Sequence, residues 1–356
     1  MIEGAEGAIW ITERNYGWYI AAYLFFGGLA AGTYLTGAVA ELAGERSDDR
    51  TVRTSMRALG QWGMLLSLSA IGAGMVFLLV FHLGAPLRAL LFPVLFVNTG
   101  SWLVIGTWVI VLFTAVAAAQ TLWLLWGRQP VGASAFPRAV TARIERRYGV
   151  PIDGWLTRLA TASDPGRTGR LMVHGLGAVL AVVTAAYTGL KLGYVAGVVP
   201  LWDGTYLPAL FLASALSIGL AAAVGSAALF DGLDGLQATA FSVADDAILV
   251  VELTVVALLV STLAAGGPGA VASYERLTGE FGAVFWGGVI AAGLVAPLVL
   301  SAVLLFVERR IDVGDSERFT RLVRGGYVAK FGLVVFGGIV LRYLVIAVAL
   351  HAPINV

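Results

Sequence analysis

The sequence predicts an all-α polytopic membrane protein with eight transmembrane helices. Three observations carry that reading: a composition poor in charge, eight long apolar stretches, and arginines concentrated in alternate connections. Of 356 residues, 59% are hydrophobic and only 13% are charged, with mean hydropathy +0.86. Soluble domains carry about 25% charged and about 45–50% apolar residues. The composition therefore excludes a soluble globular enzyme, a nucleic-acid binder and a disordered chain. Cysteine is absent, which removes disulfides, thiolate-bound clusters and zinc–thiolate sites from this protein.

A membrane-crossing helix needs about 20 predominantly apolar residues. The stretches that qualify are Trp18–Leu42, Leu59–Leu83, Gly100–Trp126, Leu171–Val195, Tyr206–Phe230, Ala247–Ala265, Phe281–Val307 and Val328–Leu350. Before the first stand Glu3, Glu6 and Glu13, with Arg14 the only base. A cleaved signal needs a basic leader and a small-residue cleavage site, so the first span is expected to be retained. The segment Gly127–Arg170 is polar, arginine-rich and punctuated by Pro130, Pro137, Pro151 and Pro165. It reads as a surface loop with room for one short amphipathic helix and for no separate soluble domain.

The bases sort by side. Four arginines lie between Arg46 and Arg57, eight between Arg128 and Arg170, and five between Arg309 and Arg324. The other connections hold only Arg14, Arg88 and Arg276. Cytoplasmic loops carry the excess of basic residues, so both termini are expected outside the cytoplasm.

Ionisable groups at membrane depth are costly and are functional candidates by default. Lys191 stands near the outer end of span four, where snorkelling to the interface accounts for it. Tyr187 precedes it by four residues and shares its helical face. Glu252 lies within span six and Arg342 well inside span eight, and an ion pair between helices is the structural alternative for both. Asp231, Asp234, Asp245 and Asp246 crowd the inner loop between spans five and six, where solvation suffices, although one could mark the mouth of a proton path. On the outer side, Asn15, Tyr16, Trp18, Tyr19 and Tyr23 gather at the start of span one. The loops Phe81–Arg88 and Val199–Pro208 share that side. Tyr and Trp at an interface are ordinarily anchors.

The histidines exclude a familiar cofactor. His82 is at the outer end of span two, His174 at the inner end of span four and His351 at the outer end of span eight. Only His82 and His351 could pair, and a transmembrane pair of haems needs four ligands, which three histidines cannot supply, so no haem is expected.

Specific strings add a resemblance. Trp18–Gly32 is similar to the opening helix of the NrfD/PsrC-type family, the membrane subunits of polysulfide reductase and related molybdenum-enzyme respiratory complexes. His82-Leu83-Gly84-Ala85-Pro86-Leu87-Arg88 resembles that family's His-Leu-Gly-x-Pro-x-Arg segment, with Ala85 where many members have Arg. Tyr187-Thr188-Gly189, Pro200-Leu201-Trp202, Ser214–Ala221, Glu252 and Gly337–Tyr343 resemble further elements, and the matches extend over all eight spans.

The resemblance implies two four-helix bundles, residues 1–195 (with the cytoplasmic loop 127–170) and 196–356. It implies a quinone, menaquinone or ubiquinone, held non-covalently in the first bundle near the extracytoplasmic face. No haem or iron–sulfur cluster would reside in this protein. The quinone-binding residues would be Tyr19, Tyr23, His82, Tyr187 and Trp202, and Lys191, Asp231, Glu252 and Arg342 would form a proton path from the inner side. Arg88 and Asp203 would face an iron–sulfur, ferredoxin-like subunit and, through it, a molybdopterin catalytic subunit. The protein would be a multi-pass component of the cell membrane, surrounded by lipid and not catalytic alone. Two rival readings remain: a transporter or channel, for which Pro297 offers a helix kink, and a structural membrane anchor. A transporter places its polar site near the midplane, whereas these groups gather at one surface.

Overall fold

The computed structural model describes residues 17–82, 100–127, 135–194, 196–230, 235–310 and 317–349. Expectations about Asn15, Tyr16, Arg88, Asp231, Asp234 and His351, and about the His82 side chain, lie outside the described residues. Within them the protein is helical and contains no strand. Among the described residues, eight helices are long and apolar enough to cross a membrane.

The helices are α1 (Trp18–Arg46), α2 (Arg50–Val76, continued as a π-helical turn over Phe77–His82), α3 (Trp102–Trp126), α4 (Ala135–Tyr148), α5 (Ile152–Ala162) and α6 (Gly166–Gly193). Then come α7 (Tyr206–Phe230), α8 (Gly235–Ala264) and α9 (Pro268–Glu275). A π-helix over Ala283–Val295 leads into α10 (Ala296–Arg310), and α11 is Glu317–Ala347. The fifth span, Tyr206–Phe230, coincides with the expected one. The change from π to α winding falls just before Pro297, whose ring removes a backbone donor from the helical ladder.

Two expectations need correction. Residues 127–170 hold two helices, α4 and α5, where the sequence predicts one short helix. Both are tied to the end of α3: the Trp126 indole donates to Asp153 at 2.9 Å, the Trp123 indole to Ser163 at 2.9 Å, and Arg138 to the Leu125 carbonyl at 3.0 Å. Second, α8 begins well before Ala247. Asp245 and Asp246 therefore lie within a membrane-length helix, where Asp245 is fully buried.

The most enclosed helices are α1 and α7: 67% of the apolar stretch of each is buried, against 22% for α3. α1 packs on α2, α6, α7 and α11, and α7 packs on α1, α6, α8 and α11. Lipid tails are as apolar as leucine, so helices in a membrane are held by close packing of small residues. Here Gly32 of α1 lies against Ala215 and Gly219 of α7, so closely that a Cβ on either glycine would land on the partner's backbone. Outward, α3 presents Trp102, Leu103, Ile105, Trp108 and Leu112, all exposed, as a lipid-facing stripe.

Candidate functional site

Two sets of residues stand out, one aromatic and one charged. The π-helical turn that ends α2 carries Phe77 and Phe81 onto the beginning of α1. Phe77 stacks on Phe26 with ring centroids 5.6 Å apart, and on Phe81 at 5.6 Å. Trp18 meets Phe77 edge-on at 5.8 Å and lies 6.0 Å from Phe81. π-Helical turns are rare and are frequent at functional sites. Trp18 and Phe81 are exposed, so this cluster opens outward at the ends of spans one and two. Tyr19 and Tyr23 are half-buried beside it and pack on the same core cluster as Trp202. Nothing local in the sequence singles out Phe26 or Phe77.

The other predicted aromatics have structural ties. Tyr187 is buried, its ring packed so closely on Gly106 of α3 that a Cβ there would overlap it. Its hydroxyl donates to the Trp102 carbonyl at 2.7 Å. The Trp202 indole donates to the Val345 carbonyl of α11 at 2.8 Å. The Asp203 carboxylate accepts from the backbone N–H groups of Thr205 and Tyr206 at 2.8 and 2.9 Å, which caps the start of α7.

The charged set lies among α7, α8 and α11. Arg342 is 1% exposed and Glu252 4%. Arg342 donates from one terminal nitrogen to the Ser214 hydroxyl at 2.5 Å and to the Gly338 carbonyl at 3.3 Å. The Ser214 hydroxyl also hydrogen-bonds Glu252. Serine thus stands between cation and carboxylate, able to accept from one and donate to the other. The guanidinium lies 5.3 Å from the Phe211 ring centroid and reaches α1 beside Gly28.

Nearer the arginine-rich side is a second cluster. Lys330 of α11 is fully buried and donates to Asp246 at 2.6 Å, to the Ser242 hydroxyl at 2.7 Å and to the Ser242 carbonyl at 2.9 Å. Asp245 lies 3.4 Å from the same ammonium and accepts from Ser217 at 2.8 Å. Ser301 of α10 donates to the other oxygen of Asp246 at 2.5 Å. All three donors of the lysine are thereby engaged. Ser214 and Ser217 share one face of α7, and Asp245 and Glu252 share one face of α8, about 10 Å apart along the axis at 1.5 Å per residue. Leu249, fully buried, stands between them.

The structure therefore joins Glu252 to Arg342, as the sequence suggests, and adds Ser214, Asp245, Asp246 and Lys330. It does not bring Lys191 into this group: Lys191 is exposed on the last turns of α6, as snorkelling requires. His174 is buried, with Nδ1 2.7 Å from the Arg170 carbonyl. Among the described residues no group of His, Asp and Glu is arranged to hold a metal ion.

Fold and site together define a multi-pass helical membrane protein with a buried ionic seam and an aromatic cluster at one end of its first two spans. The sequence profile described as "Polysulphide reductase, NrfD" matches residues 12–351. The protein belongs to that family. It is 35% identical over 136 residues to the "Protein NrfD homolog" of Haemophilus influenzae, a match that spans 37% of this sequence and 41% of that protein. It is 29% identical over 303 residues to the C subunit of the polysulfide reductase of Wolinella succinogenes, a match that spans 81% of this sequence and 83% of that protein.

Proposed function

We propose that this protein is the quinone-reactive membrane subunit of a respiratory oxidoreductase complex. The observation that carries the reading is the outward-open aromatic cluster of Trp18, Phe26, Phe77 and Phe81 beside Tyr19 and Tyr23. A quinone headgroup is flat and apolar with two polar oxygens, and it arrives laterally from lipid. Exposed rings at the ends of spans one and two suit that entry. Family membership supports the same class.

In this reading the headgroup sits between spans one, two and four near the extracytoplasmic face, with His82, Tyr187 and Trp202 at its margins. Tyr187 already spends its proton on Trp102. It can accept from a quinol hydroxyl without breaking that bond, but must release Trp102 to donate to a quinone carbonyl. An electron pair passes between the quinone and an iron–sulfur subunit docked near Arg88 and Asp203, and through it a molybdopterin subunit; quinol oxidation releases two protons and quinone reduction takes up two. The clusters around Lys330 and around Glu252 form the proton route, with Asp231 at its inner mouth. The gap past Leu249 requires bridging water. Moving one charge across the membrane is worth about 2.3 kcal/mol per 100 mV, so quinone reduction with protons drawn from the inner side would conserve energy.

The helix neighbours also favour two groups of four spans, residues 1–195 and 196–356, meeting along α1 and α7, in the cell membrane with both termini outside. A transporter reading gains from the buried ionic seam but leaves the aromatic cluster without a role.

Tyr187→Phe tests the site. The variant is expected to assemble, because the ring still fills the space over Gly106, while quinone turnover by the complex falls by about a hundredfold or more, the scale of a lost proton-transferring group. Unchanged quinone kinetics would remove Tyr187 from the chemistry.

A further inference from the structure

On the arginine-rich side, far along the helices from the aromatic cluster, the ends of α1, α2 and α6 enclose a hollow of about 600 Å³. Its walls are Arg53 and Arg57 from the start of α2, and Arg167 and Arg170 from the start of α6. Glu41 and Glu45 contribute from the end of α1, leaving a net of two positive charges. The size is that of an ordinary ligand pocket.

Arg53 donates from Nε and one terminal nitrogen to the Ser47 carbonyl at 3.2 and 2.7 Å, but the other three arginines are not fully committed to the protein. Arg57 makes no hydrogen bond or ion pair among the described residues. Arg170 pairs with Asp164 at 3.2 Å through one terminal nitrogen, while its Nε is buried with no hydrogen-bond partner among the described residues. Arg167 reaches Glu45 only at 3.8 Å, and 74% of its side chain is exposed. Arginines that merely obey the sidedness rule would be solvated and dispersed. Here four guanidinium groups from two helices converge on one concavity, and a buried donor is left unused. Two helices also begin at its rim, and the N-terminal end of a helix favours anions.

We propose that this hollow is a binding site for a phosphate-bearing anion, and that its source is the headgroup of an anionic phospholipid in the adjoining leaflet. Guanidinium forks match phosphate oxygens in pairs, and basic pockets between membrane helices on the basic side take such headgroups. The acyl chains would run between the exposed faces of α2 and α6, where lipid lies in any case.

The test uses the full-length protein, purified in detergent and stripped of lipid. Phosphatidylglycerol, phosphatidylcholine, or inorganic phosphate in phosphatidylcholine micelles is added, and the thermal midpoint and the lipid retained in native mass spectrometry are read. Phosphatidylglycerol is expected to raise the midpoint by several degrees and to be retained, and phosphatidylcholine to do neither. In R57Q/R167Q, which removes no buried partner, both responses are lost. R57K/R167K folds with the charge kept and responds only weakly, because the fork is gone. R146Q/R147Q, on exposed arginines of α4 outside the hollow, responds as the wild type does. If inorganic phosphate alone reproduces the shift and R57Q/R167Q abolishes it, the anion site stands with a free anion as its source. The proposal is overturned if neither anion shifts the wild type, or if R57Q/R167Q responds fully.

Discussion

Arg342→Met is expected to destabilise the membrane-embedded fold by about 3–5 kcal/mol, the cost of removing one partner from a buried ion pair. Methionine fills a similar volume, so the loss is electrostatic and not a cavity. Glu252 would be left buried without its compensating cation, still hydrogen-bonded to Ser214, and the contact beside Gly28 of α1 would vanish. The check is the thermal midpoint and yield of detergent-purified protein. Arg342→Met with Glu252→Gln is expected to recover at least half of the loss, because both charges are then gone. Additive losses in the double variant would show that the two residues are not coupled, and the bridge through Ser214 would then carry no energetic weight.

Gly219→Val is the second large effect. A Cβ at position 219 would occupy the backbone of Gly32 and Thr33, and backbone cannot turn aside as a side chain can. α1 and α7 would have to separate along their whole contact. Overpacking costs about 1–3 kcal/mol even where side chains can adjust, and here nothing can. We expect little folded protein and no binding of partner subunits. Gly225→Ala, also on α7, meets Phe331 at an ordinary 3.4 Å, and Gly27→Ala on α1 meets nothing within 4 Å. Both should leave the midpoint near that of the wild type. Normal expression and stability of Gly219→Val, measured by size-exclusion chromatography and thermal melting, would refute the close α1–α7 contact.

The spans are legible in the sequence because each apolar run is long enough to stand alone, and Tyr206–Phe230 agrees to the residue. Span six extends further than its apolar run for an equally physical reason. Asp245 and Asp246 interrupt that run, and what makes them tolerable in a helix interior is Lys330, contributed by span eight. No local window contains that partner. Once the helix includes them, Asp245 and Glu252 fall seven residues apart on one face, a spacing that means nothing while its first member counts as loop. Glu252 and Arg342 are conspicuous in the sequence because each stands alone in an apolar run, where a charge has no cheap explanation.

The aromatic cluster shows another limit. Trp18, Tyr19 and Tyr23 are picked out by crowding along one stretch of sequence. Phe26 and Phe77 are not, because their convergence with Phe81 depends on the π-helical turn over Phe77–His82, whose winding shifts side chains off the ordinary helical face. Tyr187 is recognisable as a phenol on an inward face. That its proton is already given to Trp102 depends on the packing of α6 against Gly106 of α3, and this changes the chemistry expected of it. Helices α4 and α5 resemble loop in the sequence because their prolines and arginines leave no membrane-scale apolar run, yet they are fastened by indole and arginine bonds to α3.

Quinone is the proposed substrate of this subunit. The most direct measurement is the quinone content of the purified protein: organic extraction of the detergent-solubilised sample, with menaquinone and ubiquinone quantified by chromatography against the same detergent without protein. Near-stoichiometric quinone is expected, with occupancy lowered when Phe77 or Phe81 is replaced by alanine in an otherwise stable protein. Protein that carries no quinone, and takes up none when a short-chain quinone is added, would contradict it.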